Sequence, residues 1–296
     1  MKYHLIALFT VFVWGVTFVS TKVLLVDFTP LWILLLRFAA GFLVLCALRP
    51  HILRLHVKHH ELLFAAAGAT GIAAYYLLEN VALVFTTATA VGVIVAAAPL
   101  FTALLQAALG DCSALRPRFF LGFCVAMAGL ALVSTGSEPA GMAGQAAGEP
   151  THLGDGLALL AALVWAVYSV LVKKIADLGY ETVAATKRTF IWGLAFIIPA
   201  TLLAGGSFPA VSSLASPVNF ANLLFLGAIA SAACFVTWGV AAKHLGPATS
   251  TTYIYLVPAI TATASILILT EPVTPVIVCG ILLTIAGLVL SQGKRG

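Results

Sequence analysis

The sequence contains very few charged residues. Only 8% of its 296 residues are Asp, Glu, Lys or Arg, against about 25% in ordinary soluble domains. Apolar residues make up 62%, and the mean hydropathy is +1.11. A soluble core could not hide so much apolar surface, whereas a helix bundle in lipid carries apolar residues on its outside as well. The composition therefore predicts a membrane protein that is surrounded by the lipid bilayer.

Several chemical signatures are also missing. None of the patterns GxxxxGK[ST], GxGxxG, HExxH and GxSxG occurs, so ATP coupling and hydrolysis lack their parts, and we expect neither an enzyme nor a cofactor. The five cysteines form no CxxC pair, which argues against a disulfide framework or a zinc site. The stretch HILRLHVKHHELL has four histidines, but it is short and strongly basic, so we interpret it as a solvated loop without a metal.

Apolar runs long enough to cross about 30 Å of hydrocarbon number ten. The predicted spans are residues 3–26, 30–48, 61–84, 87–109, 118–135, 153–176, 181–204, 219–242, 247–269 and 273–291. The first run is too long for a cleaved signal peptide, so we expect it to remain as a helix. The stretch GSEPAGMAGQAAGEPTH lacks Lys and Arg and is typical of a flexible linker. The prediction is an all-α polytopic membrane protein with five-helix halves at 1–136 and 153–292, joined by a linker at 137–152.

The positions of the basic residues predict how the chain is oriented in the membrane. If the N-terminus is cytoplasmic, Lys and Arg fall in the cytoplasmic loops and in none of the opposite loops. The opposite side then carries Asp27, Glu138, Glu149, Asp155 and Glu271. The formal charge of +5 therefore reports topology, and no nucleic-acid partner is expected. We predict a multi-pass protein of the bacterial inner membrane with both termini in the cytoplasm.

The two halves share residues at fixed offsets. An offset of 151 residues aligns Trp14 with Trp165, Lys22 with Lys173 and Arg37 with Arg188, and an offset of 159 aligns Pro99 with Pro258 and Gly68 with Gly227. Gly122 and Gly129 similarly match Gly280 and Gly287. Because five is an odd number, the second half must be inverted relative to the first. Inverted repeats are a hallmark of secondary transporters.

Particular stretches at these matched places resemble a known superfamily. They are VFVWGVTFVSTKVLL, LLLRFAAGF, NVALVFTTATAVGVIVAAAPLFTALL and WGVAAKHLGPATSTTYIYLVPAITATASILILTEP. The chain resembles the drug/metabolite transporter superfamily of the EamA type, and most of all the YddG-like exporters of aromatic amino acids. The resemblance implies amino acids as cargo and export as the direction. Asp111 stands where such families usually have a glutamate, while Glu271 keeps the acid at the matching place, and we expect both to be caps or pairing groups.

Pro99 and Pro258 fall near the middle of the fourth and ninth predicted spans. A proline there removes a backbone hydrogen bond, which a membrane tolerates only where protein or a wet cavity satisfies the freed carbonyl. Matched interruptions in the two halves are the best sequence indication of a transport site. We predict helix kinks at the site, with a purely structural kink as the alternative.

The third span contains the candidate carboxylate. Glu79 lies about six residues, or about 9 Å, from the end of its span, where exposure to lipid would be costly. Tyr75 lies one turn before Glu79, and Tyr76 one turn before Asn80, which places an aromatic and polar band on adjoining faces. Such a band can bind a cargo ammonium. The alternative is that Glu79 ties helices together through Lys22 or Arg37.

Matched tryptophans supply the candidate apolar wall. Trp14 shares a helix face with Thr17, and Trp165 with Tyr168 and Ser169. Both tryptophans lie about halfway along their spans, where an interfacial belt is not expected, so we predict that they line the cavity; helix packing is the alternative. Weaker candidates of the same kind are Trp238, Tyr253 and Tyr255.

The deep cations are few. We expect Lys22 and Lys173 to snorkel to the membrane surfaces. Arg37, Lys187 and Arg188 are expected to pair with acids or helix ends. Phosphate-bearing cargo requires fixed cations along its path, so this pattern disfavours it.

These residues predict a secondary transporter that exports aromatic and other neutral amino acids, or similar small metabolites, by alternating access. Uniport is favoured because Glu79 is the one acid deep enough to carry a proton. The alternatives are a proton-coupled drug or metabolite exporter and a sugar or nucleotide-sugar carrier. A further alternative is a non-transporting assembly protein that is held through its glycine-rich faces. The sequence is compatible with a monomer or a homodimer.

Overall fold

Helices make up almost all of the described chain. The computed structural model describes residues 1–51, 53–110, 117–136, 152–204, 208–245, 253–272 and 274–292. The predicted linker up to residue 151 lies outside these residues, as do Asp111, Glu138 and Glu149. The helices are α1 (Lys2–Leu24), α2 (Pro30–Leu48), α3 (Lys58–Phe85), α4 (Ala88–Ala108), α5 (Pro117–Gly136), α6 (Leu153–Asp177), α7 (Thr182–Leu203), α8 (Pro217–Leu245), α9 (Tyr253–Leu269) and α10 (Pro275–Gln292), with a short helix Val211–Ala215 before α8.

Seven of these helices are long and apolar enough to cross a membrane. They are α1 to α4 and α6 to α8. The other three contain shorter apolar stretches, Pro117–Val133, Tyr253–Leu269 and Pro275–Ser291. The described residues form no strand. The protein is therefore an all-helical, multi-pass membrane protein.

Short capping sequences fix where several helices begin. The Thr29 hydroxyl accepts a hydrogen bond from the Trp32 amide at the start of α2, where Pro30 is pre-set for a helix. Thr87 caps α4 in the same way by accepting from the Ala90 amide at 3.0 Å. These caps end the preceding turns, so α1 to α2 and α3 to α4 reverse direction within a few residues.

Four helices depart from regular α geometry at matched places. Helix α4 is interrupted at Ala96–Ala97, which ends two residues before Pro99. Helix α9 begins with a 3₁₀ turn, Tyr253–Leu256, which ends two residues before Pro258. Helices α3 and α8 contain π-helical segments at matched places, Gly68–Ala74 and Phe225–Ala233, and α9 contains a further one, Ser265–Leu269. Regular helices were the sequence expectation for α3 and α8, since the π-helical turns leave no hydrophobic signature. Segments of this kind are frequent at functional sites.

The packing of the helices is crosswise. Helix α1 contacts α8 and α9, and α6 correspondingly contacts α3 and α4. Helix α2 packs against α8 where Gly41 meets Gly227, and α7 packs against α3 where Gly193 meets Gly68. A Cβ on Gly68 would lie 2.6 Å from the Gly193 amide nitrogen. Helices early in the chain therefore pack largely on helices late in the chain.

Helices α5 and α10 form a separate close pair, the glycine seam. A Cβ on Gly122 would lie 2.3 Å from the Ser291 amide nitrogen, and one on Gly287 would lie 2.3 Å from the Ala126 amide nitrogen. A Cβ on Gly129 would lie 2.7 Å from the Gly280 carbonyl oxygen, and one on Gly280 would lie 2.8 Å from the Gly129 carbonyl oxygen. The glycines that recur at seven-residue spacing in α5 and α10 therefore allow these two helices to pack closely against each other.

Polar side chains join the helix ends at both ends of the bundle. Lys22 donates to the backbone carbonyls of Leu83 and, at 2.8 Å, Thr86, at the C-terminus of α3. The prediction that Lys22 snorkels is wrong, because these carbonyls lack helical partners and bind the ammonium inside the protein. Glu271 accepts hydrogen bonds from the Ala88 and Thr89 amides at the start of α4, which agrees with its expected capping role.

Basic residues at the opposite end are paired as the sequence indicates. Lys187 donates to the carbonyls of Arg49 and, at 2.7 Å, His51, past the C-terminus of α2. Arg188 binds the Glu61 carboxylate through Nε and Nη2 and the Leu53 carbonyl through Nη1. The expectation that these two cations pair with acids or helix ends is confirmed. Lys173 forms an exposed ion pair with Asp177 at 3.3 Å.

Candidate functional site

A cavity lies where α1, α3, α4, α6 and α9 meet. Its volume is about 50 Å³, counted as the space open to the centre of a water molecule. Six predicted site residues line it: Trp14, Thr17, Tyr75, Tyr76, Glu79 and Trp165. The remaining lining residues are Phe18, Val95, Ala96, Ala98, Ile254 and Val257. The cavity is thus an apolar, aromatic-rich pocket with one carboxylate, a composition typical of small-molecule sites.

The two matched prolines act on this cavity through the residues four positions before them. Because a proline has no N–H, Pro99 cannot donate the helical hydrogen bond to the carbonyl of Val95, and Pro258 cannot donate to the carbonyl of Ile254. Val95 and Ile254 both line the cavity. Neither proline lines the cavity. The prolines affect it indirectly, because each removes a helical hydrogen bond to a residue that does line it.

Trp14 and Trp165 contact each other and form one wall of the cavity. Their ring centroids are 5.9 Å apart with an interplanar angle of 86°. Trp14 is fixed in place because its indole nitrogen donates to the Ala230 carbonyl at 3.2 Å. Trp165 also lies 4.6 Å from the Tyr75 ring centroid. The rings therefore form one continuous aromatic surface.

Glu79 is the acidic group of the site. Its side chain is 1% exposed, and its Oε1 atom has no hydrogen-bond partner within the described residues. The alternative interpretation, an ion pair with Lys22 or Arg37, is not found among the described residues. A buried carboxylate oxygen without a partner is costly. The site therefore holds an acceptor that is ready for a donor supplied from outside the chain.

The position of Arg37 differs from the sequence expectation. The side chain is completely buried, and its Nε donates to the Ser231 hydroxyl at 3.1 Å. It pairs with neither an acid nor a helix end in the described structure, so that prediction is wrong. The reason is that the helix packed against it, α8, presents a serine and no carboxylate at this level. The guanidinium carbon lies 4.3 Å from the Tyr76 ring centroid.

Five further candidates and Tyr255 lie outside the lining of the cavity. Asn80 donates to the Pro30 carbonyl at 3.1 Å, and the Ser169 hydroxyl donates to the Trp165 carbonyl at 2.8 Å. Tyr168 packs against Trp165 and fills the space above Gly71. The other residues in this group are Trp238, which contacts Trp14, Tyr253, whose hydroxyl bonds His4 Nδ1 at 2.6 Å, and Tyr255, which is buried. Asn80, Tyr168, Ser169 and Trp238 thus contact or neighbour residues of the site, whereas the Tyr253 hydroxyl bonds His4 near the start of α1.

Sequence reasoning missed several lining residues. Val95, Ala96, Ala98, Ile254 and Val257 are small or aliphatic and carry no chemical signature of their own. Their one signal is position, since each lies within four residues of Pro99 or Pro258. A proline that interrupts a membrane helix marks the residues one turn before it, and this rule would have found them.

A metal site is not indicated in the described part of the chain, where no group of three His, Cys, Asp or Glu residues comes together. His56 and His60 are instead engaged by Tyr180, whose hydroxyl lies 2.8 Å from His60 Nδ1 and whose ring stacks on His56. The basic loop is therefore held by an aromatic residue from the start of α7.

Comparison with known proteins gives consistent matches. The model of the EamA-like transporter family matches residues 1–135 and 152–292. An uncharacterized transporter of Archaeoglobus fulgidus is 28% identical over 99% of this chain and 98% of its own. A probable terminal-alkyne amino-acid exporter of Streptantibioticus cattleyicolor is 31% identical over 77% of this chain and 72% of its own. One crystal structure, 20% identical, covers 98% of this chain and 96% of its own with a TM-score of 0.67, which shows a shared fold.

Proposed function

Because the chain belongs to the EamA-like transporter family, we propose that it is a secondary transporter that exports amino acids, aromatic and other neutral ones included. The family and the named relatives are transporters and not enzymes. The observation that carries the proposal is the cavity itself, where a carboxylate with a free oxygen faces an aromatic wall.

The residues of the cavity suit the ammonium group and the side chain of an amino acid. Glu79 would accept hydrogen bonds from the ammonium group, and the faces of Tyr75 and Tyr76 would attract the same cation. Trp14 and Trp165 would contact the side chain, with the freed carbonyls of Val95 and Ile254 as further acceptors. The relative that is named as a probable amino-acid exporter supports this class of cargo.

Alternating access of two inverted five-helix repeats is the proposed mechanism, with the first repeat at 1–136 and the second at 153–292. Three observations support ten crossings and the repeat. The family model matches the chain in two stretches. The described helices of the two halves make corresponding crosswise contacts, α1 with α8 and α9, and α6 with α3 and α4. The third helix of each half contains a π-helical segment, although α9 contains a further one, Ser265–Leu269. Rocking of the halves would expose the cavity to each side in turn.

We place the protein in the bacterial inner membrane with both termini in the cytoplasm, because Lys and Arg of the loops lie on one side of the predicted topology. Single cysteines test this orientation in a variant from which the native cysteines are removed. Cysteine at exposed His152 should react with a membrane-impermeant maleimide in intact spheroplasts. Cysteine at exposed Lys243 should react only after lysis, and the reverse pattern would contradict the orientation.

Counterflow in proteoliposomes tests the function. Vesicles that contain the purified protein and a high internal concentration of phenylalanine should accumulate labelled phenylalanine, and alanine or tryptophan inside should support the same uptake. Failure of every amino acid in this assay would overturn the proposal. An imposed pH gradient should leave the rate unchanged for uniport, whereas acceleration together with coupled proton flux would show proton exchange.

A further inference from the structure

Arg37 is a buried cation whose hydrogen-bonding capacity is largely unused. Its side chain is 0% exposed, and neither Nη1 nor Nη2 has a partner in the described part of the chain. Its one hydrogen bond runs from Nε to the Ser231 hydroxyl. A guanidinium normally donates through a fork that matches the two oxygens of a carboxylate. The fork of Arg37 is therefore empty and has been removed from water at a large cost.

Arg188, at the matched position in the second half, has a guanidinium group whose three nitrogens each donate to a partner among the described residues. It donates to the Glu61 carboxylate through Nε and Nη2 and to the Leu53 carbonyl through Nη1. Glu61 lies near the start of α3, and the offset that aligns Gly68 with Gly227 places Phe220 of α8 at the corresponding position. Phe220 is 60% exposed and has no charge. The second half thus lacks the acid that would satisfy Arg37.

Glu79 shows the complementary deficiency close by. It is buried, its Oε1 has no partner among the described residues, and no ion pair joins it to Arg37 there. Tyr76 of α3 contacts Arg37 of α2, whose guanidinium carbon lies 4.3 Å from the centroid of the Tyr76 ring. The Tyr76 side chain also lines the cavity together with Glu79. Arg37 and Glu79 each lie about 10 Å from the same end of the bundle at 1.5 Å per residue.

We propose that Arg37 binds the carboxylate of the transported amino acid while Glu79 binds its ammonium group, with the Tyr76 ring as the movable cover between Arg37 and the cavity. The assignment rests on the proposed function and specifies its substrate class as α-amino acids with a free carboxylate. The substrate supplies to Arg37 the carboxylate that Glu61 supplies to Arg188. The Tyr76 ring must tilt aside as the cargo enters, which exposes Nη1 and Nη2 to the cavity.

Competition by phenylalanine analogues in the counterflow assay tests this assignment on the intact protein. Phenethylamine lacks the carboxylate, and the methyl ester of phenylalanine masks it. Because hydrogen bonds to a charged group contribute about 1.5–3 kcal/mol, each compound should inhibit about 10- to 100-fold more weakly than phenylalanine. Inhibition equal to that of phenylalanine would overturn the assignment whatever the variants do.

The Arg37→Gln variant should lose this discrimination. Its ratio of inhibition constants for phenethylamine and phenylalanine should fall towards 1, and Arg37→Lys should give an intermediate ratio because the charge remains without the fork. Arg188→Gln is the matched control, since its partner is Glu61, and any fall in its activity should leave the ratio unchanged. An unchanged ratio in a folded Arg37→Gln variant would also overturn the assignment. If the wild type moves no amino acid at all, the proposed function itself is wrong.

Discussion

Trp14 of α1 and Trp165 of α6 meet edge to face, with 5.9 Å between their ring centroids. They occupy the same place in the two halves of the sequence, 151 residues apart. Edge-to-face pairs of this kind contribute about 0.5–1.5 kcal/mol beyond the burial of their surface. One wall of the cavity is therefore built jointly by both halves of the chain, so a relative movement of the halves must change its shape.

Trp165→Ala should impair aromatic cargo more than small cargo. The indole supplies a flat surface beside Tyr75, and its loss removes a stacking partner that alanine as cargo never used. We expect transport of phenylalanine to fall about 3- to 10-fold more than transport of alanine. Trp32→Ala, on α2 and outside the cavity lining, is the control and should affect both cargoes alike. An equal loss in the Trp165 variant would contradict a cargo-facing role.

Glu79→Gln should reduce transport of all amino acids by about 10- to 100-fold, because a charge-assisted hydrogen bond to the ammonium is replaced by a neutral one. The substitution nearly preserves the shape of the side chain, so thermal unfolding in detergent should be little changed. Glu181→Gln is the matched control, since that carboxylate is about half exposed and pairs with Arg49 at 3.6 Å. Normal counterflow by the Glu79 variant would remove this residue from the site.

Gly122→Val should destabilise the glycine seam. Even the first carbon of a side chain at Gly122 would lie 2.3 Å from a backbone nitrogen of α10, which no small adjustment relieves. We expect a loss of about 1–3 kcal/mol or more, measured as a lower thermal unfolding temperature in detergent. Gly156→Ala is the control, since nothing lies within 4 Å of a Cβ there. Similar unfolding temperatures for the two variants would show that the helices are not closely packed in solution.

Glu271→Ala should weaken the start of α4. The carboxylate accepts from the Ala88 amide at 2.9 Å and from the Thr89 hydroxyl at 2.8 Å, and removal of a helix N-terminal acceptor costs about 0.5–2 kcal/mol. A lower unfolding temperature in detergent is the expected result. Asp177→Asn, which breaks only an exposed pair with Lys173, should change it far less. A larger effect of the Asp177 variant would be inconsistent with the cap.

The repeated features of the sequence pointed to Trp14 and Trp165, which both line the cavity. Hydropathy indicates the helices because lipid imposes a simple rule on their length and composition. The matched tryptophans and prolines could be identified because each pair recurs at a fixed offset in the sequence. Glu79 could be identified because a deep carboxylate is too costly to be left facing lipid.

The partner of each buried polar side chain could not be predicted in the same way. Lys22 binds carbonyls of α3, and Arg37 stacks on Tyr76, and both outcomes depend on which residue the neighbouring helix presents at that level. A linear sequence does not give this alignment. The π-helical segments of α3 and α8 also escaped prediction, because their hydrophobic content equals that of an ordinary membrane helix.

The glycine seam contributes no residue to the cavity lining, yet it joins a helix of the first half to a helix of the second. Backbones that touch along such a line resist separation, because any parting would expose polar main-chain groups and lose close contacts at several turns together. Under the proposed alternating access, this pair of helices would therefore stay in contact while other contacts between the halves change. A covalent cross-link across α5 and α10 that abolished counterflow would contradict this arrangement.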